Sequence, residues 1–503
     1  MNYPFWDVDI GYGILMAVIA VVHVFVSHFA IGGGLYLVVA ETLARRNSDT
    51  LRLEFLQKLS KFFVLVTVVF GALTGVGIWF VIGLLNPAAT EMLIHNFVWG
   101  WATEWTFFVI EIAAAILYLY GWRTMAAGHH LIIGWIYFIA AWMSLFVING
   151  IITFMLTPGD WLQTGAFWDG FFNPTLWPSL VLRTGVCVML AGLFAMVVAS
   201  RYDASDFKAR VVRFNAAWAL VGLAITVVSF LWYWRAIPVA ITAAAEEMMP
   251  SVIDSVTNSY WFAAAIGAMA AIFGLIFARR QHLIIAIVTL AFGLGWFGYF
   301  EWFREEIRKP FIVFGYMYGN GVELSRADVM AREGYLGGIK FRTRNDSADL
   351  FRRACQSCHL IEGYRALKPA YDGTDTAFIA GTIRGTGAIV GNMPPFLGTM
   401  EEAAMIAAHI YERIDKRHLG EIYGVNGVEL GRIVYDIRCG KCHVFGGYND
   451  KAESILGLSD QEYHDLLDMA GELSEEMPAF TGDDREREAL IVYLKSLSEG
   501  GTP

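Results

Sequence analysis

Residues 98–120 read VWGWATEWTFFVIEIAAAILYLY, with no Lys or Arg among them. At 1.5 Å per residue this stretch reaches roughly 35 Å as a helix, enough to cross a hydrocarbon core of about 30 Å. Only Glu104 and Glu111 interrupt it, seven residues apart and therefore on one helical face. A carboxylate at membrane depth is expensive unless it is paired or used, so these two mark a site as well as a span.

The pattern extends in both directions. Apolar stretches at 13–43, 62–85, 130–156, 178–200, 214–234, 259–278 and 282–303 are each long enough to span. Charged residues make up 17% of the chain, against about 25% in an ordinary soluble protein. The deficit is uneven: residues 1–303 hold 14 Lys/Arg and 16 Asp/Glu, residues 304–503 hold 23 and 31. Such apolar content excludes disorder, and an acidic chain is not a nucleic-acid binder. No basic segment precedes the first span and no small-residue cleavage site follows it, so it is expected to stay as a helix. Arg45, Arg46, Arg52, Lys58, Lys61, Arg123, Arg201, Lys208, Arg210, Arg213, Arg279 and Arg280 lie in the odd-numbered loops, and only Arg235 in the even-numbered ones. The positive-inside rule then puts the N-terminus and everything after Phe303 on the outer, periplasmic side of a bacterial inner membrane.

Other polar groups at membrane depth are His23, His28 and Glu41 in the first span, Arg183 in the fifth, and Glu301 and Glu305 at the end of the eighth. Arg183 requires a counter-charge, either a cofactor carboxylate or a side chain such as Glu104. His28 is open between an extra ligand, a proton relay and a packed histidine. His95 is expected in an outer loop, His129 and His130 at the inner membrane surface, and Cys187 as a small apolar core residue.

The tail carries a different chemistry. Cys355-Gln356-Ser357-Cys358-His359 and Cys439-Gly440-Lys441-Cys442-His443 are both C-x-x-C-H, two thiols for thioether bonds to a heme and an adjacent axial His. Met393 follows Cys355 by 38 residues, and Met477 follows Cys439 by 38, each in a Met-Pro pair. The whole pattern repeats with a period of 84. His and Met together fill both axial positions, which suits electron transfer rather than ligand chemistry. The tail resembles two class I cytochrome c domains in tandem, at 346–419 and 428–500, each closed by an amphipathic helix at 400–414 and 484–497. Residues 316–345 are expected to link them to the membrane part. Covalent heme c is attached outside the cytoplasm, which agrees with the loop charges.

The membrane part, 1–315, resembles subunit I of cytochrome bd, a quinol-oxidising oxygen reductase. The resemblance rests on three blocks: His23-Val24-Phe25-Val26 through Gly32-Gly33-Gly34 to Ala40-Glu41, then Gly100 to Glu111 with Gly121-Trp122, and Glu305-Glu306-Ile307-Arg308-Lys309-Pro310. It implies His23 and Glu305 as ligands of a high-spin heme pair (b with b or d), Glu104 and Glu111 at that pair and on its proton path, and Arg308 against heme carboxylates. Lys309 would share that last role. The departures matter as much. The family's low-spin heme beside the quinol takes a His from the fifth span, where this chain has Val181-Leu182-Arg183-Thr184-Gly185, and a Met near Ala265. That heme is therefore expected to be absent, with Arg183 in its space, and the quinol loop is shortened to 235–258. The ninth span is replaced by the cytochrome tail.

The fold expected is all-α: an eight-span bundle plus two small cytochrome c domains. The function expected is a bd-like terminal oxygen reductase fed through two covalent c hemes, entering at His443/Met477 and leaving at His359/Met393 in the simplest order. Expected partners are lipid, a subunit II-like membrane protein and a periplasmic donor such as a basic cytochrome c, steered by the acidic tail. Two other readings are an electron-transfer subunit between quinol and periplasmic c carriers, and a heme c anchor without catalysis.

Overall fold

A computed structural model describes residues 8–339, 342–389 and 393–499 of the chain. Eight helices among these are long and apolar enough to cross a membrane: α1 (Tyr12–Arg46), α2 (Thr50–Leu85), α3 (Pro87–Gly121), α4 (Ala127–Leu156), α5 (Leu176–Ser200), α6 (Asp206–Ala236), α7 (Val252–Ile276) and α8 (Leu283–Glu306). Two start well before the apolar stretch that announced them. Asp49 caps α2 by accepting from the Arg52 amide (3.1 Å), so the basic residues at 52, 58 and 61 ride on helix rather than loop. Asn86 caps α3 with Pro87 in the first turn, and a non-helical Phe97 (φ −119°, ψ 26°) kinks the helix before its membrane stretch. His95, expected in a loop, therefore sits in the helical segment ahead of that kink.

α5 is the most enclosed span, and small residues bring its neighbours against it. A Cβ on Gly192 would lie 2.6 Å from the Ala219 amide nitrogen of α6, and one on Gly222 2.2 Å from that of Met189. One on Gly32 of α1 would lie 1.8 Å from the Cys187 carbonyl oxygen. Lipid offers no hydrophobic drive between helices, so close backbone packing of this kind holds the bundle. Gly222→Val is expected to cost about 3 kcal/mol, because the helices must part to admit the side chain. A lowered unfolding midpoint in detergent checks it; an unchanged midpoint contradicts the packing.

At the loop-basic end, Glu41 is fully buried. It accepts from Tyr118 (2.7 Å), Arg45 (2.6 Å) and His130 Nδ1 (2.8 Å), and His130 Nε2 lies 2.8 Å from the Tyr118 carbonyl. His130 is thus not an interfacial residue but the inner partner of Glu41, drawn in because a buried carboxylate requires donors. Together these bonds pin α1, α3 and α4.

Beyond α8 the chain makes a short hairpin, β1 (Phe311–Val313) with β2 (Met317–Tyr318). The tail is helical: α9 (Asp346–Ala354), α10 (Thr376–Arg384), α11 (Met400–Tyr411), α12 (Gly427–Arg438), α13 (Asp460–Met469) and α14 (Asp484–Ser498). α9 packs on α11 and α12 on α14. The 84-residue period recurs in the bonding. Thr399 caps α11 and Asp483 caps α14. Buried Glu402 accepts from the Tyr335 and Leu336 amides (2.9 Å each), and buried Glu486 from the Leu419 amide (3.1 Å). In each half a carboxylate from the last helix thus anchors the chain that enters the domain. Val322, Met330 and Tyr335 pack into the first half's core, so much of the stretch expected as linker belongs to that body.

Candidate heme sites

Each C-x-x-C-H motif begins where a helix ends. Cys355 follows α9 and Cys439 follows α12, each amide bonding four residues back, to Phe351 and Tyr435. Burial pushes both first thiols up to about 12. His359 Nδ1 lies 3.0 Å from the Arg365 carbonyl, and His443 Nδ1 3.2 Å from the Asn449 carbonyl. A carbonyl only accepts, so Nδ1 carries the proton and Nε2 keeps its lone pair for a metal. Burial also holds His359 below the usual histidine range, which favours the neutral imidazole a ligand must be. Two thiols and an oriented imidazole in each half fit a covalent heme. Met393 and Met477 are both half-buried; Asn392, just before Met393, lies outside the described residues.

The two halves meet around Tyr371. Lys441 Nζ donates to the Ala370 carbonyl (2.6 Å) and stands 5.1 Å from the Tyr371 ring. Arg438 reaches across to the Gly373 carbonyl (3.3 Å). Tyr371 is buried within electrostatic reach of Cys355 in one motif and Cys442 in the other. Desolvation in this seam lowers Lys441 to about 8.

In the membrane half, His23 Nδ1 lies 3.1 Å from Thr74 Oγ1, whose own proton goes to the Phe70 carbonyl (2.6 Å). The hydroxyl oxygen therefore accepts from His23, again leaving Nε2 with its lone pair. Gly75 faces the ring: a Cβ there would lie 3.1 Å from His23 Cε1. An oriented imidazole beside a glycine cradle fits an axial ligand. Glu104 accepts from Ser144 of α4 (2.7 Å), and Glu111 stands two turns further along the same face of α3. Glu305 lies on the last turn of α8, half-exposed, with both oxygens 2.7 Å from Arg308 NH2. Arg308 itself is buried and also donates to the Phe311 carbonyl (3.3 Å).

Arg183 pairs with Glu301, one of the polar groups that the sequence placed at membrane depth. Its NH2 stands 2.6 Å from Glu301 Oε1, in place of the Glu104 pairing considered above. Glu301 is held from its other oxygen by Arg304 (3.2 Å). Arg183 NH1 donates to His28 Nε2 (3.2 Å), and His28 Nδ1 donates to the Val24 carbonyl (2.8 Å). With both nitrogens engaged and its ring 4.4 Å from that of Phe297, His28 is a packed histidine in this arrangement. Phe297 and Phe300 lie under the guanidinium at 5.9 and 5.7 Å, and Phe230, Tyr233, Trp296 and Phe303 fill the surroundings. Ser144 and Thr74 carried no local signal, and nothing local paired Glu301 with Arg183, since each contacts a residue many positions away in the chain.

Eight apolar spans joined to paired heme-attachment motifs define a membrane-bound heme oxidoreductase. The family model described as cytochrome bd terminal oxidase subunit I matches residues 14–233, and that described as cytochrome C oxidase, cbb3-type, subunit III matches residues 426–494. Residues 14–233 therefore match a cytochrome bd subunit I domain, and residues 426–494 a cbb3-type cytochrome c domain. Among solved structures, the bd oxidase from Geobacillus thermodenitrificans is similar in fold, with TM-score 0.54 and 15% identity over 60% of this chain and 88% of that chain. None of the curated proteins matches this chain.

Proposed function

We propose that this chain is a bd-like oxygen reductase that takes its electrons through two periplasmic cytochrome c domains rather than directly from quinol. One observation carries the reading: Arg183 lies in the fifth-span stretch, 181–185, where the resemblance puts a low-spin heme ligand, and it is closed by Glu301 over Phe297 and Phe300. An aromatic-packed ion pair there argues against the quinol-side heme. The paired cytochrome motifs at the end of the chain offer another entrance.

Cys355, Cys358, His359 and Met393 would hold one c heme, and Cys439, Cys442, His443 and Met477 the other. His23 and Glu305 would ligate a high-spin pair. Bound there, the hemes would supply one-electron carriage and oxygen reduction. The chain's own residues do the rest. Thr74 orients His23. Glu104, held by Ser144, and Glu111 hold and pass protons along one face of α3. Arg308 supplies a buried positive charge at the outer end of α8. Glu305 shares its charge with Arg308, so the two act as one unit at that end.

A subunit II-like membrane protein, surrounding lipid and a soluble periplasmic donor complete the assembly, with both chain ends outside the inner membrane. The test is oxygen uptake by the purified complex with reduced cytochrome c or ascorbate plus mediator. Uptake well above background is expected. Absence of turnover with all hemes loaded rejects the reading and leaves electron transfer alone.

A further inference from the structure

The two cytochrome halves meet the membrane half differently: Tyr448, the counterpart of Tyr364, lies within electrostatic reach of Glu247 in the segment between α6 and α7, whereas the first half is bonded to its helices. In the first, the turn after His359 reaches α1 and α8. A Cβ on Gly11 would lie 3.0 Å from Tyr364 Cβ, and one on Gly13 2.7 Å from Tyr364 Cε1, so only glycines leave room for the ring. Arg365 NH2 stands 2.8 Å from Glu306 Oε1, which Lys309 also reaches at 2.6 Å. Glu306 adjoins Glu305, and the Arg365 carbonyl is the acceptor that orients His359. A second strut lies to one side. Arg353 of α9 donates to the Asn320 carbonyl, while Asn86 at the start of α3 donates to the Gly319 carbonyl (3.0 Å).

The internal repeat shows what is special here. Arg365 corresponds to Asn449, and both adopt left-handed backbone (φ 47° and 48°) with the same carbonyl role. Asn tolerates that conformation, whereas a long side chain pays about 1 kcal/mol for it. An arginine kept in the strained position of one copy only, with its guanidinium on Glu306, points to a task outside its own domain.

We propose that the Tyr364–Arg365 turn is a built-in docking joint that fixes the first cytochrome domain on the outer ends of α1 and α8 and makes it the module that delivers electrons to the membrane half. This rests on the proposed function and settles its order. Each transfer moves one electron, oxidising the first domain and reducing the membrane half, with no bond made or broken. Arg365 acts as a positioning residue through Glu306.

The test uses the full complex carrying Arg365→Glu, the exchanged pair Arg365→Glu with Glu306→Arg, and separately Tyr364→Leu. The Arg365 carbonyl remains in each, so the His359 bond is kept. Hydrogen exchange over 360–366 and 9–15 reads the joint, and oxygen-driven reoxidation of the prereduced c hemes reads its consequence. Arg365→Glu and Tyr364→Leu are expected to raise exchange in both segments and slow reoxidation roughly tenfold or more. The exchanged pair should recover both. Unchanged exchange overturns the joint, and changed exchange with unchanged reoxidation overturns its role in delivery. If the parent complex itself shows no reoxidation by oxygen, the proposed function fails, while the exchange data still decide whether the joint exists.

Discussion

Exchanging Cys355 and Cys358 together for Ala is expected to halve the heme that stays with the chain through denaturation and to reduce oxygen uptake from any c-type donor to background. The two sulfurs would be the covalent hold on that heme, and the half that would lose it is the one that meets α1 and α8 through Tyr364 and Arg365. The matching exchange of Cys439 and Cys442 removes the same amount of covalent heme but leaves the docked half intact. It should abolish uptake from a protein donor while a small mediator still supports measurable turnover. Heme staining after electrophoresis and oxygen electrode traces separate the two. Equal loss of mediator-driven uptake in both variants would place the second domain, too, on the obligatory route.

The second large effect concerns the ion pair inside the bundle. Removing either partner leaves charge behind in a water-poor interior, but the two losses are unequal. After Arg183→Leu, Glu301 still has Arg304 at 3.2 Å, so the expected cost is that of a lost charge-assisted bond, about 2 kcal/mol. After Glu301→Leu, Arg183 keeps only the His28 nitrogen among the polar partners described above and remains 1% exposed, so the cost rises to about 3–5 kcal/mol. The double variant Arg183→Leu with Glu301→Leu should be more stable than Glu301→Leu alone, since Arg304 loses Glu301 in both but only the single variant also leaves Arg183 buried without a carboxylate. Unfolding midpoints of the three variants in detergent check this order. A double variant as unstable as Glu301→Leu would mean that the pair does not couple.

How much of this was legible depends on the range of each interaction. The eight spans could be read because lipid imposes one rule on every residue of a helix, and composition over about twenty positions reports it. The C-x-x-C-H motifs could be read because thiols and imidazole act within one turn of chain, and the 84-residue period repeated the signal. The early starts of α2 and α3 were not read, because the turns that Asp49 and Asn86 cap lie outside the continuous apolar stretches. The expectation for His130 failed because nothing local announces Glu41, 89 positions away, as its partner. Arg365 could have been found: setting its turn against the second copy places Arg opposite Asn, a substitution that the domain alone does not require.

The amino-acid sequence by itself determined the solvents, since hydropathy and charge act residue by residue: a lipid-embedded bundle followed by an acidic, heme-attaching tail. It also determined which groups carry chemistry, because a carboxylate in lipid or a thiol pair before His is unusual wherever the chain goes. Only the tertiary structure decided the pairings. Arg183 chose Glu301 over Glu104, His28 gave its second nitrogen to Arg183, and the first cytochrome half came to rest on Glu306. Each choice is made between residues remote in sequence, where direction and distance set the energy and composition carries no record of either.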